Sequence, residues 1–213
     1  MKRAGLFLNH PECSLHSCDG VIKTILSEYK VEIFTQANCN TKNLKDKDLI
    51  VFPGGIGDSD SYDKIFDAES VEAVRNHVKI GGKYLGICMG GYWAGKHYFN
   101  LLKSADTVQY IKRKESGIRR SFGTVVPVSW EDVETNMFFY DGCAVVGDKK
   151  KFKTIATYSN GDPMAVIQGN VGVIGCHPES VKYWYKPRRL KTFWHKEQHH
   201  KLLSNFIAEL TKS

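Results

Sequence analysis

The first half of the chain alternates short apolar runs with amphipathic stretches. Four of the runs have the length of buried strands, at 4–9, 31–34, 48–52 and 83–87. Apolar residues at helical spacing predict helices at 21–29, 68–80 and 89–103. This alternation of strands and helices is typical of a parallel sheet with helices on both of its faces.

The second half has a different pattern. Five runs there read as strands with no helix between them, at 121–128, 143–146, 154–158, 164–168 and 171–176. Turn-forming residues at 160–163 and 169–170 predict hairpins, and an amphipathic stretch at 199–212 predicts a terminal helix. We therefore expect one α/β domain over residues 1–213, with a mostly parallel central sheet and a β-rich C-terminal extension.

Composition narrows the classes of protein that fit this pattern. The net charge of +7 comes from short, scattered basic runs, so nucleic-acid binding is not favoured. No apolar run approaches the roughly 20 residues of a membrane-spanning helix, and the N-terminal run is too short for a signal peptide. We expect a cytoplasmic protein, whose six irregularly spaced cysteines remain reduced thiols.

Candidate chemistry begins at Cys88, which directly follows the predicted strand 83–87. Gly86 and Gly90 flank it, and a helix is predicted to follow. Small residues around a nucleophile between a strand and a helix are typical of a nucleophile elbow. A helix N-terminus next to a thiol favours the thiolate, the nucleophilic form.

A second candidate group follows another predicted strand. His177, Pro178 and Glu179 come directly after the run 171–176. The carboxyl ends of parallel strands meet at one edge of a sheet, so His177 can reach a thiol at the end of a neighbouring strand. A carboxylate two residues later can orient the imidazole, as in a nucleophile–base–acid triad.

Three motifs together resemble those of the class I glutamine amidotransferase-like superfamily. In chain order they are Pro53-Gly54-Gly55, Gly86-Ile87-Cys88-Met89-Gly90 and His177-Pro178-Glu179. Segments 81–90, 140–142 and 158–163 are more narrowly similar to the amidotransferase-like domain at the N-terminus of biotin protein ligases. The resemblance covers nearly the whole chain and implies a flavodoxin-like three-layer sandwich. It does not imply biotinylation.

The resemblance also implies roles for the motif residues. Cys88 would attack a carbonyl carbon, His177 would transfer the proton, and Glu179 would orient the imidazole. Backbone amides would form the oxyanion hole, drawn from Gly54 or Gly55 and from Met89.

One position departs from the glutamine-hydrolysing members, which carry a glutamine four residues after the cysteine. This chain has Tyr92 there, and a phenol cannot reproduce the donor and acceptor of a carboxamide. We therefore expect a substrate pocket involving Tyr92, His10 and Tyr140 that takes an amide or ester other than simple glutamine. The substrate would be a small molecule or a peptide, and a protein partner could complete the site.

Other interpretations of the same residues remain open. The fold could serve as a non-catalytic binding or regulatory module. A redox- or glyoxalase-type member of the superfamily would need an acid near the first strand, and Glu12 is the residue available.

Two further segments contain residue types that can bind ligands, zinc in one case and nucleic-acid bases in the other. Residues of the kinds that bind zinc cluster after the first strand, at His10, Cys13, His16 and Cys18, but their spacing fits no zinc motif. We expect a pocket rim there, and neither a metal nor a cofactor. The aromatic and basic segment 183–195 could stack bases, but a packing loop beside His177 is favoured.

Overall fold

The computed structural model describes residues 1–56 and 59–212, with the side chains of residues 59 and 60 left aside. Its main sheet has nine strands, which lie across the sheet in the order 29–34, 2–7, 49–52, 83–87, 171–174, 163–168, 153–158, 124–130 and 133–139. The first five strands in that order are parallel. They are β1 (Lys2–Phe7), β2 (Tyr29–Phe34), β3 (Leu49–Phe52), β4 (Lys83–Ile87) and β11 (Val171–Ile174).

The other four strands of the main sheet are antiparallel. They are β6 (Thr124–Trp130), β7 (Val133–Phe139), β9 (Lys153–Tyr158) and β10 (Pro163–Gln168). A separate two-stranded antiparallel ribbon joins β5 (Ala105–Gln109) to β8 (Cys143–Gly147). The hairpins predicted at 160–163 and 169–170 join β9 to β10 and β10 to β11.

Helices cover both faces of the parallel strands. They are α1 (Leu15–Ile25), α2 (Thr41–Leu44), α3 (Ser59–Ile65), α4 (Ala68–Lys79), α5 (Met89–Trp93) and α6 (Gln198–Lys212). Alternate strand residues face two separate cores. One core includes buried residues of α1 and α6, and the other includes buried residues of α4. The three-layer α/β sandwich predicted from the sequence is confirmed.

No helix in the described part of the chain is long and apolar enough to cross a membrane.

The helix predicted at 89–103 is wrong in length, because α5 ends at Trp93. The chain turns after Gly95, where the Lys96 amide donates to Asp106 Oδ1 at the start of β5 (2.9 Å). A tertiary hydrogen bond therefore ends the helix where the apolar spacing alone would continue it.

Other boundaries also differ from the predictions. Helix α1 begins at Leu15 instead of residue 21, because Ser14 caps it by accepting a hydrogen bond from the Ser17 amide. Strands β5 and β7 were not predicted.

Candidate active site

Cys88 lies in a tight turn between β4 and α5. Its φ of +49° and ψ of −102° are rare for a residue with a side chain. An alanine Cβ at Gly86 would collide with the Gly90 carbonyl, and one at Gly90 would collide with the Phe52 carbonyl. The two glycines therefore let the turn close tightly enough to hold Cys88 in this strained conformation.

The Cys88 side chain is almost fully buried, with 3% of its residue surface exposed. Its Sγ donates a hydrogen bond to the Tyr140 carbonyl oxygen at 3.4 Å. Tyr140 follows β7, so a strand from the antiparallel part of the sheet places its backbone against the thiol.

The imidazole of His177 is buried and paired with a carboxylate. Nδ1 lies 2.8 Å from Glu179 Oε1, and Glu179 has no exposed surface. The other ring nitrogen, Nε2, is buried without a hydrogen-bond partner in the described part of the chain. That nitrogen is therefore available for proton exchange.

Electrostatics link His177 to both neighbours. Burial by itself lowers the pKa of His177, but the charges of Glu179 and Cys88 and the hydrogen bond to Glu179 raise it above its ordinary value. The raised pKa favours the imidazolium form of His177.

Ser17 is a buried residue of this site that the sequence did not reveal. Its Oγ donates to Glu179 Oε1 at 2.6 Å and accepts from the Gly54 amide at 2.9 Å. Glu179 Oε2 has no hydrogen-bond partner among the described residues, so both bonds to the carboxylate fall on Oε1. Ser17 lies 162 positions before Glu179, and no local pattern connects the two.

The loop after β3 holds the amides of Gly54 and Gly55 in different surroundings. The Gly54 amide is engaged by Ser17, so it does not point toward a substrate oxygen. Of the two glycines proposed from the sequence, Gly55 remains as the candidate donor on this loop. Met89, the other candidate, is the first residue of α5.

Two cavities open beside this cluster. The Cys88-side cavity has a volume of about 710 Å³ and is lined by Cys88, Met89, Tyr92 and residues of β5, among others. The Tyr92 hydroxyl donates to the Asp141 carbonyl at 3.0 Å, so the ring forms part of the wall and leaves the cavity open. Burial raises the pKa of Tyr92, and its phenol stays neutral.

The His177-side cavity has a volume of about 380 Å³. His10 and Glu12 line it together with His177, Phe138 and Trp184. Tyr140 lines both cavities. The three residues expected in a substrate pocket therefore lie at the cavities, with Tyr92 and His10 on opposite sides.

The aromatic segment after Glu179 packs beside His177, as predicted. Trp184 meets the imidazole edge-on at 5.0 Å and stacks on Phe138 at 4.8 Å.

The four residues considered as zinc ligands do not form a metal site. Cys13 and Cys18 are buried thiols, and burial raises the pKa of each to about 12. His16 packs against the Tyr183 ring. The described residues contain no group of three or more histidine, cysteine or acidic side chains placed to hold a metal ion.

Comparison with known proteins identifies the fold. A Thermotoga maritima glutamine amidotransferase superposes with a TM-score of 0.70 at 14% identity, covering 100% of this chain and 99% of the other. PurLQS from the same organism gives 0.68 at 16% identity, covering 98% and 99%. The chain has the class I glutamine amidotransferase-like fold.

Sequence comparisons are more specific within that fold. Residues 9–109 match the family model "Biotin-protein ligase, N terminal". Pyridoxal 5'-phosphate synthase subunit PdxT of Corynebacterium glutamicum is 29% identical over 151 residues, 66% of this chain and 74% of PdxT. The biotin–protein ligase of Schizosaccharomyces pombe is 27% identical over 161 residues, 62% of this chain and 25% of the ligase.

Proposed function

We propose that this protein is a cysteine-dependent hydrolase or acyltransferase that cleaves an amide or ester through a thioester on Cys88. The observation that carries the proposal is the buried His177–Glu179 pair. The Nε2 of His177 has no hydrogen-bond partner among the described residues, and the charge of Cys88 contributes to the raised pKa of this imidazole. A solved structure with this fold is named a glutamine amidotransferase, and that name agrees with this chemistry.

In the proposed reaction the Cys88 thiolate attacks the carbonyl carbon, and the oxygen becomes an oxyanion. The amides of Gly55 and Met89 would stabilise that oxygen, at about 3 kcal/mol per donor in well-studied hydrolases. The His177 imidazolium donates its Nε2 proton to the leaving group as the bond to the carbonyl carbon breaks. Water then attacks the thioester with His177 as base, which releases the acid and restores Cys88.

Ser17 and Glu179 would act through His177. The carboxylate holds the imidazole by Nδ1, and Ser17 fixes the carboxylate against the loop that carries Gly55. We therefore assign Ser17 as a positioning residue. PdxT is named as a synthase subunit, and this supports a protein partner for the present chain as well.

Thiol labelling tests the proposal. Burial raises the pKa of each of the other five thiols. Iodoacetamide at pH 7, followed by peptide mass spectrometry, should therefore modify Cys88 at least about tenfold faster than any other cysteine. His177→Asn should slow this labelling, whereas His195→Asn, a change at another buried histidine, should not.

Turnover of 4-nitrophenyl acetate gives a second measurement. Wild-type protein should release nitrophenol in a burst and then steadily, and Cys88→Ser should lose both phases. If Cys88 reacts no faster than the other thiols and no burst occurs, the protein is a non-catalytic module on the same fold.

A further inference from the structure

The two cavities share part of their lining, and each contains one of the two reacting residues. Cys88 lines only the larger cavity and His177 only the smaller, whereas Gly55, Ile56 and Tyr140 line both. A substrate whose carbonyl carbon lies at the Cys88 sulfur therefore has space on two sides. We interpret the two cavities as the sites for two parts of one substrate, and this interpretation rests on the proposed function.

The proton donor determines which part of the substrate occupies which cavity. His177 must reach the atom that leaves, so the leaving group lies on its side of the carbonyl. The acyl group then extends into the Cys88-side cavity of about 710 Å³.

The His177-side cavity is much too large for ammonia. A water molecule, which is similar in size, occupies about 30 Å³ in the liquid, whereas this cavity measures about 380 Å³. Its walls are largely apolar, with Pro11, Leu15, Ile56, Phe138 and Trp184 among the lining residues.

The aromatic wall indicates the shape of the occupant. Phe138 and Trp184 stack with an interplanar angle of 29°, and both meet His177 edge-on. A flat apolar group that leaves beside the imidazole would pack on these rings. We propose that the substrate is a secondary amide whose amine portion is an aromatic or similarly sized apolar group, and not a primary carboxamide.

The reverse of acylation tests this without knowledge of the acyl group. After 4-nitrophenyl acetate has acetylated Cys88, an added amine can attack the thioester from the leaving-group site. The amine nitrogen forms a bond to the carbonyl carbon, the thiolate leaves, and His177 accepts the proton. Benzylamine and ammonia have similar basicity, so they differ mainly in how well they fill the cavity.

Benzylamine should accelerate deacylation with saturation and yield N-benzylacetamide, at least about tenfold more efficiently than ammonia yields acetamide. Equal efficiencies, or no acceleration by benzylamine, would overturn the inference. Failure to form acetyl-Cys88 at all would instead overturn the proposed function, and with it this inference.

Two variants test whether the preference for benzylamine arises in the His177-side cavity. Trp184→Ala should reduce the preference for benzylamine by about tenfold. Tyr183→Ala is the matched control, because Tyr183 is an exposed aromatic neighbour that lines neither cavity. An equal loss of preference in both variants would contradict the assignment of the cavity. If Trp184→Ala does not fold, the comparison of amines on the wild-type protein still decides.

Discussion

The parallel and antiparallel parts of the main sheet contribute differently to the candidate site. Ser17, Gly55, Cys88 and His177 all follow strands of the parallel part, after β1, β3, β4 and β11. Phe138 and Tyr140 belong to β7 of the antiparallel part and to the turn after it. The separate antiparallel ribbon adds residues of β5 to the wall of the Cys88-side cavity.

This difference follows from the geometry of the two kinds of pairing. Parallel strands bring all their carboxyl ends to one edge, where groups far apart in sequence converge. Antiparallel strands reach the same edge only at turns, which place walls beside the reacting groups. We infer that residues of the parallel part carry out the reaction and that residues of the antiparallel part select the substrate. Mutations should therefore be able to change one of these two properties without the other.

Among variants that keep Cys88 and His177, the largest effect is expected for Ser17→Ala in the parallel part. It removes a hydrogen bond to the Glu179 carboxylate and leaves the Gly54 amide without its acceptor. With Glu179 held less firmly, His177 transfers protons less well, so kcat for 4-nitrophenyl acetate should fall about tenfold with KM nearly unchanged.

Ser180→Ala is the matched control for that prediction. Ser180 is also fully buried and follows Glu179, but its hydroxyl bonds to Tyr185 and His195. Both variants should lose about 1 kcal/mol of unfolding free energy for the lost hydrogen bonds. Equal losses of kcat would show that Ser17 has only a structural role.

A smaller effect is expected for Tyr92→Phe, at the boundary with the antiparallel part. The change removes the hydroxyl that donates to the Asp141 carbonyl and so loosens the wall of the Cys88-side cavity. KM for substrates with a bulky acyl group should rise two- to fivefold, as expected for the loss of one neutral hydrogen bond.

Iodoacetamide labelling tests whether Tyr92→Phe changes the cavity wall without changing the reactivity of Cys88. The rate at Cys88 should stay within about twofold of wild type, as in Tyr183→Phe, which changes a tyrosine outside both cavities. If Tyr92→Phe slows labelling as strongly as it impairs turnover, the division between chemistry and selection is wrong.

The same two parts differ in how far the sequence predicted them. In the parallel part, the inner strands β3, β4 and β11 are buried along their whole length and are largely apolar, because helices cover both faces of the sheet there. The ends of these runs therefore pointed to Cys88, His177 and the loop of Gly54 and Gly55. The structure brings these residues together, and their catalytic roles remain predictions.

The elements that the sequence missed depend on partners distant in the chain. Every residue of β5 is half-buried, and its strand conformation comes from pairing with β8. The orientation of the Gly54 amide likewise depends on Ser17 in α1. The local pattern of apolar residues does not depend on such distant contacts. Neither the strand β5 nor the orientation of the Gly54 amide could therefore be predicted from the sequence.

The smallest effect on activity is expected for a change at His195, in the C-terminal segment that contacts both parts of the sheet. His199 Nε2 bonds to Thr135 of β7 at 2.9 Å, and His195 stacks on His199 and bonds to Ser180 beside Glu179. Burial lowers the pKa of His195 to about 3 and of His199 to about 4, and neighbouring histidines add to the effect.

These pKa values give stability a definite pH dependence. Between about pH 6.5 and 4 the unfolded chain binds protons at both histidines, whereas the folded chain does not, so stability falls as pH falls. His195→Phe keeps an aromatic ring but cannot titrate. It should reduce the slope of unfolding free energy against pH in this window by up to about 1.4 kcal/mol per unit.

Urea unfolding at several pH values between 4.5 and 7.5 measures this slope. The control His97→Gln, at an exposed histidine, should keep the wild-type slope. At pH 7.5, where His195 is neutral in both states, kcat of His195→Phe should remain within about twofold of wild type. A slope unchanged by His195→Phe would show that this histidine is not held neutral. A large loss of kcat would show that the contact to Ser180 positions Glu179 directly.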